Sequence, residues 1–165
     1  MKAVVVDTNV PMVANGRTEQ ASAKCVCACI DALEMAMQKG LVVLDDGQRI
    51  LREYMRNLSL SGQPGTGDFF MKWVWTNQAV PSRCEQVHVT PKSNSSNDFE
   101  EFPVDAELNN FDPSDRVFVA VARASPRRPR VLNAVDLGWW RFKKPLRRHG
   151  VKVEFLCPDF VKANT

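Results

Sequence analysis

The sequence predicts an α/β fold: three layers, α/β/α, around a mostly parallel central sheet. Three observations carry this. Short runs of β-branched residues alternate with helical segments along the whole chain, the pattern of strand–helix–strand crossovers. Those runs are apolar throughout, as strands covered on both faces must be. The length of 165 residues suits one domain spanning 1–165, and 44% hydrophobic with 25% charged residues excludes wholesale disorder.

The elements follow in order. Lys2–Val6 reads as a buried strand that stops at Asp7. Residues 18–39 are Ala-rich and free of Pro and Gly, which predicts a helix closed by Gly40. Residues 41–44 form a second apolar strand. Asp45, with Gln48 three residues on, is expected to cap a helix running to about Leu58. The segment SGQPGTG (61–67) is a breaker-rich turn before a short helix at 68–77. Residues 81–103 are the least regular, and the polar stretch from Thr90 predicts a mobile loop around 90–103. Helical periodicity returns over 113–124, with Val117, Phe118, Val121 and Ala122 on the apolar side. A basic turn at 127–130 precedes a strand at 131–135. A helical segment at 138–149 and a strand at 151–156 complete the chain.

Composition excludes several classes. No apolar run approaches the ~20 residues that span a bilayer. The N-terminal apolar run meets Asp7 before a signal-peptide core could form, so a cytoplasmic protein is expected. Five cysteines (Cys25, Cys27, Cys29, Cys84, Cys157) form no paired framework, and reduced thiols serving as small core residues are the expected state. Alternate positions 25, 27 and 29 on a helix turn Cys27 away from its neighbours, against a zinc site. Net charge is +3, yet ten of the 22 Lys and Arg fall within residues 123–152, where Asp136 is the sole acid. Such a cluster suits a polyanion or a solvated face.

The most informative pattern is acidic. Asp7 ends the first strand, Glu53 lies in the helix after the second, Asp115 opens the helix RVFVAVARA, and Asp136 ends the strand VLNAV. Parallel sheets place ligands outside the carboxyl ends of their strands, so these acids are expected to converge. Gathered carboxylates repel one another unless a cation compensates them. Oxygen donors with no nearby His or Cys point to Mg²⁺ or Mn²⁺. Each acid also has a structural use: Asp7, Asp112 and Asp136 as caps, Asp115 as a partner in the cap that Asp112 and Pro113 begin, Glu53 as a helix-surface partner of Arg49 or Arg56. Asp45 and Asp46 read as helix caps.

The ordered set V-V-V-D-T-N, I-L-R-E-Y, D-R-V-F-V-A-V-A and L-N-A-V-D-L-G-W resembles the PIN-domain nuclease family across nearly the whole chain. The resemblance implies a PIN-like fold and a metal-dependent endoribonuclease cutting phosphodiester bonds of RNA. Asp7, Glu53, Asp115 and Asp136 would then be the catalytic metal ligands, with Asn9 and Asp112 supporting them. Arg127, Arg128, Arg130 and Arg141 are candidates to hold flanking phosphates. Family members carry Thr or Ser two residues before the last Asp, where this chain has Ala134. The resemblance also allows a toxin, a defence nuclease or an RNA-processing enzyme, with a protein inhibitor (antitoxin) or a homodimer as partners.

Other readings compete. A catalytically inactive PIN-like scaffold that binds RNA or protein is the non-enzyme alternative. An aspartyl phosphotransferase needs a second acid two residues after its nucleophile, and Asn9 cannot serve. A dinucleotide-binding domain lacks its Gly-rich loop. His88 and His149 stand apart from any nucleophile motif. Trp139, Trp140 and Phe142, set among cations, suit core packing or stacking on unpaired bases.

Overall fold

The computed structural model describes residues 2–93 and 97–165. Five strands form one all-parallel sheet in the order β3-β2-β1-β4-β5: β1 Lys2–Val6, β2 Gly40–Asp45, β3 Cys84–Val87, β4 Arg130–Asn133 and β5 Val153–Phe155. The helices are α1 Asn9–Ala14, α2 Ala23–Lys39, α3 Arg49–Asn57, α4 Thr66–Asn77, α5 Arg116–Ala124, α6 Leu137–Arg141, α7 Lys143–Arg148 and α8 Pro158–Ala163. Among them α2 packs on β1 and β2, and α5 packs on β1, β2 and β4. This is the expected three-layer α/β/α architecture. The middle strands are buried on both faces, which is why they carry no alternating polar residues.

Strand order decides where a site can form. The chain builds outward from β1 to β2 and β3, then crosses back to place β4 on the other side of β1. Neighbouring crossovers therefore diverge at the carboxyl ends of β1 and β4, the place where open parallel sheets hold their ligands. Register places Val6 beside Leu132, so Asp7 and Asn133 leave the sheet side by side. The Asp7 N–H still donates to the Leu132 carbonyl at 3.2 Å.

Several expectations need correction. Strand β3 falls in the segment read as irregular: its sequence CEQV buries only its two end residues, the pattern of a sheet-edge strand with a polar middle. Helix α1 was unexpected because Pro11 sits inside it. Pro11 occupies the first turn, where backbone N–H groups have no intrahelical partner anyway. Helix α2 starts at Ala23, not 18, with the Ser22 hydroxyl accepting from Cys25 N. Gly40 ends α2 in extended backbone. It is small because a Cβ there would lie 2.9 Å from the Ala36 carbonyl oxygen and 3.1 Å from that of Lys2. The predicted helix at 138–149 is two short helices, α6 and α7, that meet at Phe142. Residues 94–96, part of the stretch read as a mobile loop, lie outside the described residues. Its described parts include buried Phe99 and Phe102, and Glu101 accepts from Thr90 N.

The cysteines also depart from expectation. Cys25 and Cys157 form a disulfide that joins α2 to the start of α8 across 132 residues. A folded chain brings distant cysteines together in a way that spacing cannot reveal, so the odd count does not imply a reducing compartment. Cys29 and Cys84 are free and buried, and burial pushes both thiols up to about 12. Cys27 points away from Cys25 and Cys29, as expected, but it is exposed and not a core residue. Closing so long a loop restricts the unfolded chain, so reduction is expected to cost about 2–5 kcal/mol. Urea melts with and without dithiothreitol check this, and coincident midpoints would contradict it. Among the described residues no helix is long and apolar enough to cross a membrane.

Candidate active site

The site begins with Asp7, the first residue past the apolar run of β1. It is 3% exposed, a costly place for a carboxylate. Asn9 compensates: its backbone N–H donates to Asp7 Oδ2 at 3.0 Å, and its side-chain amide donates to the same oxygen. Trp139 Nε1 donates to Asp7 Oδ1 at 3.3 Å. Burial dominates even so. It pushes the Asp7 carboxyl up to about 7, opposed by the Asn9 hydrogen bonds and reinforced by the charges of Asp136 and Glu53.

Asn9 is the joint between β1 and β4. Its amide nitrogen donates to Asn133 Oδ1 at 2.9 Å, and its Oδ1 accepts from the N–H groups of Ala134 and Val135 at 2.9 and 3.0 Å. Asn133 Nδ2 in turn donates to the Asp136 carbonyl at 3.1 Å. Ala134, two residues before Asp136, is fully buried, and the polar side chain of this turn is that of Asn133 beside it.

Glu53 arrives from α3, which is anchored at both ends of its first two turns. Asp45 accepts from Arg49 N and Ile50 N, each at 3.0 Å, and is the expected cap, although Gln48 adopts a left-handed conformation instead of completing a capping box. One turn on, Tyr54 donates its hydroxyl to the Val6 carbonyl at 2.5 Å. That bond pins α3 to the end of β1 and brings Glu53 Oε1 to the Thr8 hydroxyl at 3.2 Å. Burial raises the Glu53 carboxyl above its ordinary range; the Thr8 bond and Arg56 oppose this, and Asp112 adds to it. Tyr54→Phe leaves a buried carbonyl without its donor and is expected to cost about 1–3 kcal/mol, read as a lower urea midpoint. An unchanged midpoint would mean that packing alone holds α3.

Asp115 ends a single 3-10 turn, Pro113–Asp115, and leads into α5. Asp112 caps that turn, accepting from Ser114 N and Ser114 Oγ at 2.9 Å each, with Pro113 in the first position. Asp115 makes no capping hydrogen bond. Its carboxyl, buried and facing like charges, is pushed up to about 9 by burial first, then by Asp7, Asp136, Asp112 and Glu53. Asp136 caps α6 through Gly138 N at 2.8 Å and contributes its charge to both Asp7 and Asp115.

The four acids therefore meet electrostatically at one end of the sheet. Among the described residues, none of them forms an ion pair with Lys, Arg or His. The four-acid set is open: among the described residues no three acids offer oxygens all within 4.8 Å of one another, a spacing reached only by Cys25, Cys29 and Cys157. As a donor set it fits a hard divalent cation, with carboxylates and no imidazole or thiol. His88 and His149 lie elsewhere, paired with Asp46 and Asp105.

The basic candidates are not all brought to the acids. Arg127, Arg128 and Arg130 lie at the amino end of β4, where Arg130 aligns with Val4, three residues before Asp7 and about 10 Å back along the strand. Arg127 pairs with Glu85 at 2.7 Å and Arg130 with Glu154 at 3.6 Å. A parallel strand enters from the end opposite its acid, which a list of nearby sequence positions conceals. Arg141, exposed at the end of α6, follows the acidic end. Of the aromatics, Trp139 is fully buried on Asp7 and cannot stack on a base. Trp140 and Phe142 are half-buried, set edge-on to Phe155 and Phe111.

Thr8, Tyr54 and Asn133 were missed by sequence reasoning, and Trp139 was read as a core or stacking residue, not as a partner of Asp7. Only Asn133 left a signal, an amide inside the apolar run VLNAV. No protein-family model, curated protein or solved structure matches the chain.

Proposed function

We propose that this chain is a divalent-metal-dependent phosphodiesterase that cuts RNA internally, in the manner of PIN-domain nucleases. The observation that carries the reading is the gathering of Asp7, Glu53, Asp115 and Asp136, drawn from four separate segments, at the carboxyl ends of β1 and β4. Carboxylates raised to about 7 and 9 hold protons that a divalent cation would displace. Asp7, whose charge acts on Asp115 and which is itself acted on by Asp136 and Glu53, would be the central ligand, with Glu53, Asp115 and Asp136 around it. Bound Mg²⁺ or Mn²⁺ would supply an activated water and stabilise the leaving oxygen. The protein's own part is to fix the acids: Asn9 and Trp139 orient Asp7, Thr8 orients Glu53, and the Gly138 N–H orients Asp136.

The preference for RNA, an inhibitor protein and a toxin or defence role rest on the family resemblance alone. A second reading, a scaffold that binds without cutting, is favoured by the lack of any three acids at ligand spacing among the described residues and by the Trp139 bond to Asp7. Incubating a labelled single-stranded RNA with the protein in Mn²⁺ or EDTA separates them. Cleavage in Mn²⁺ that is absent in EDTA and in Asp115→Asn supports the enzyme. Binding without cleavage supports the scaffold.

A further inference from the structure

We infer that the cleft between α3 and the turn before α5 holds the phosphate backbone of a single nucleic-acid strand, with Arg49, Arg52 and Arg56 as its contacts. This deepens the nuclease reading and rests on it for the identity of the bond that is cut. The spacing 49, 52, 56 places three guanidiniums on one face of α3, and Glu53 shares that face as the residue four after Arg49 and three before Arg56. All four line one cleft of about 380 Å³, whose far wall is Pro113 and Ser114, the residues immediately before Asp115. The cleft thus contains one acid of the candidate site, Glu53, against three arginines, of which Arg49 also pairs with Asp45, and its far wall leads directly into Asp115.

The guanidiniums are set for an anion. Arg49 is held by Asp45 at 3.5 Å and lies over the Phe99 ring at 5.4 Å, and Arg52 donates to the Gly47 carbonyl at 3.1 Å. Each retains donors beyond those contacts, in the planar fork that matches phosphate oxygens. A positive groove running into a catalytic pocket tracks a strand without reading its bases. Arg127 and Arg130, by contrast, lie at the end of the sheet away from the four acids.

The test is fluorescence anisotropy with a labelled 20-nucleotide single-stranded RNA in EDTA, measured across salt concentrations. Each phosphate contact contributes about 0.7 to the slope of log affinity against log salt for single strands. Arg52→Gln/Arg56→Gln is expected to reduce the slope by about 1.4, each single variant by about half that, and Arg52→Lys/Arg56→Lys is expected to restore it. Arg127→Gln/Arg130→Gln is expected to leave it unchanged. Thermal melts identify any variant that fails to fold, in which case the single variants decide. An unchanged slope in the groove variants, or an equal loss at the amino end of β4, overturns the inference. Cleavage by wild type with a groove-independent slope sinks the groove and spares the nuclease reading. A groove-dependent slope with no cleavage does the reverse.

Discussion

Replacing Asp7 by asparagine is expected to lower metal-dependent RNA cleavage by about 10³-fold or more, equivalent to about 4 kcal/mol of barrier. The side chain keeps its shape but loses the charge that the central position requires. Because Asn9 and Trp139 donate to both Asp7 oxygens, the amide of the variant sets two hydrogens against one of those donors. Some stability is therefore lost along with activity. Asp115→Asn is the companion variant, since Asp115 lies outside the Asn9–Asn133–Trp139 hydrogen-bond set. It is expected to show the same loss of cleavage with no loss of stability. Gel assays of both variants beside circular dichroism melts check the pair, and cleavage within tenfold of wild type for either removes that residue from the chemistry.

The second large effect is on stability against pH. Asp7 and Asp115 bind protons more tightly in the folded chain, at about 7 and 9, than at the ordinary carboxylate value of 3.8, and Glu53 is also raised. Below about pH 4 folded and unfolded chains are both protonated at these sites, and the acids cost nothing. Above it the unfolded chain releases protons that the folded chain retains, so stability falls as pH rises through the window from about 4 to about 9. A tenfold difference in proton affinity between the folded and unfolded chain corresponds to about 1.4 kcal/mol, and the two carboxyls influence each other's ionisation, so the total is of the order of several kcal/mol. Asp68 and Asp105, whose carboxyls lie below the ordinary range, act with opposite sign, but only at pH below about 4. In EDTA the wild type is expected to melt higher at pH 5 than at pH 8.5. Mn²⁺ should raise the melting temperature far more at pH 8.5, and Asp115→Asn should flatten the metal-free profile. A metal-free melting temperature that rises or stays level from pH 5 to 8.5 contradicts the burial of these acids.

What was legible in the sequence follows from what each residue does. Buried central strands must be apolar throughout, so β1, β2 and β4 were plain, and the acids that end or follow them were plain too. Edge strand β3 and Pro-containing α1 obey weaker local rules, and both were hidden. The end of the sheet on which a basic residue falls depends on chain direction, which misplaced Arg127, Arg128 and Arg130. Arg49 and Arg56 entered only as alternative surface partners of Glu53, whereas Arg49 reaches Asp45. The Cys25–Cys157 bond and the Trp139–Asp7 contact each join residues 132 positions apart, and no local pattern encodes such pairs.

Metal-dependent cleavage requires that Asp7, Glu53, Asp115 and Asp136 form one cation-binding pocket. Anomalous diffraction from crystals soaked in Mn²⁺ tests this most directly. The predicted result is a manganese peak between β1 and β4, with Asp7 and at least two of the other three acids in its coordination shell. A structure with no peak there, or with manganese held only by other residues, would contradict it.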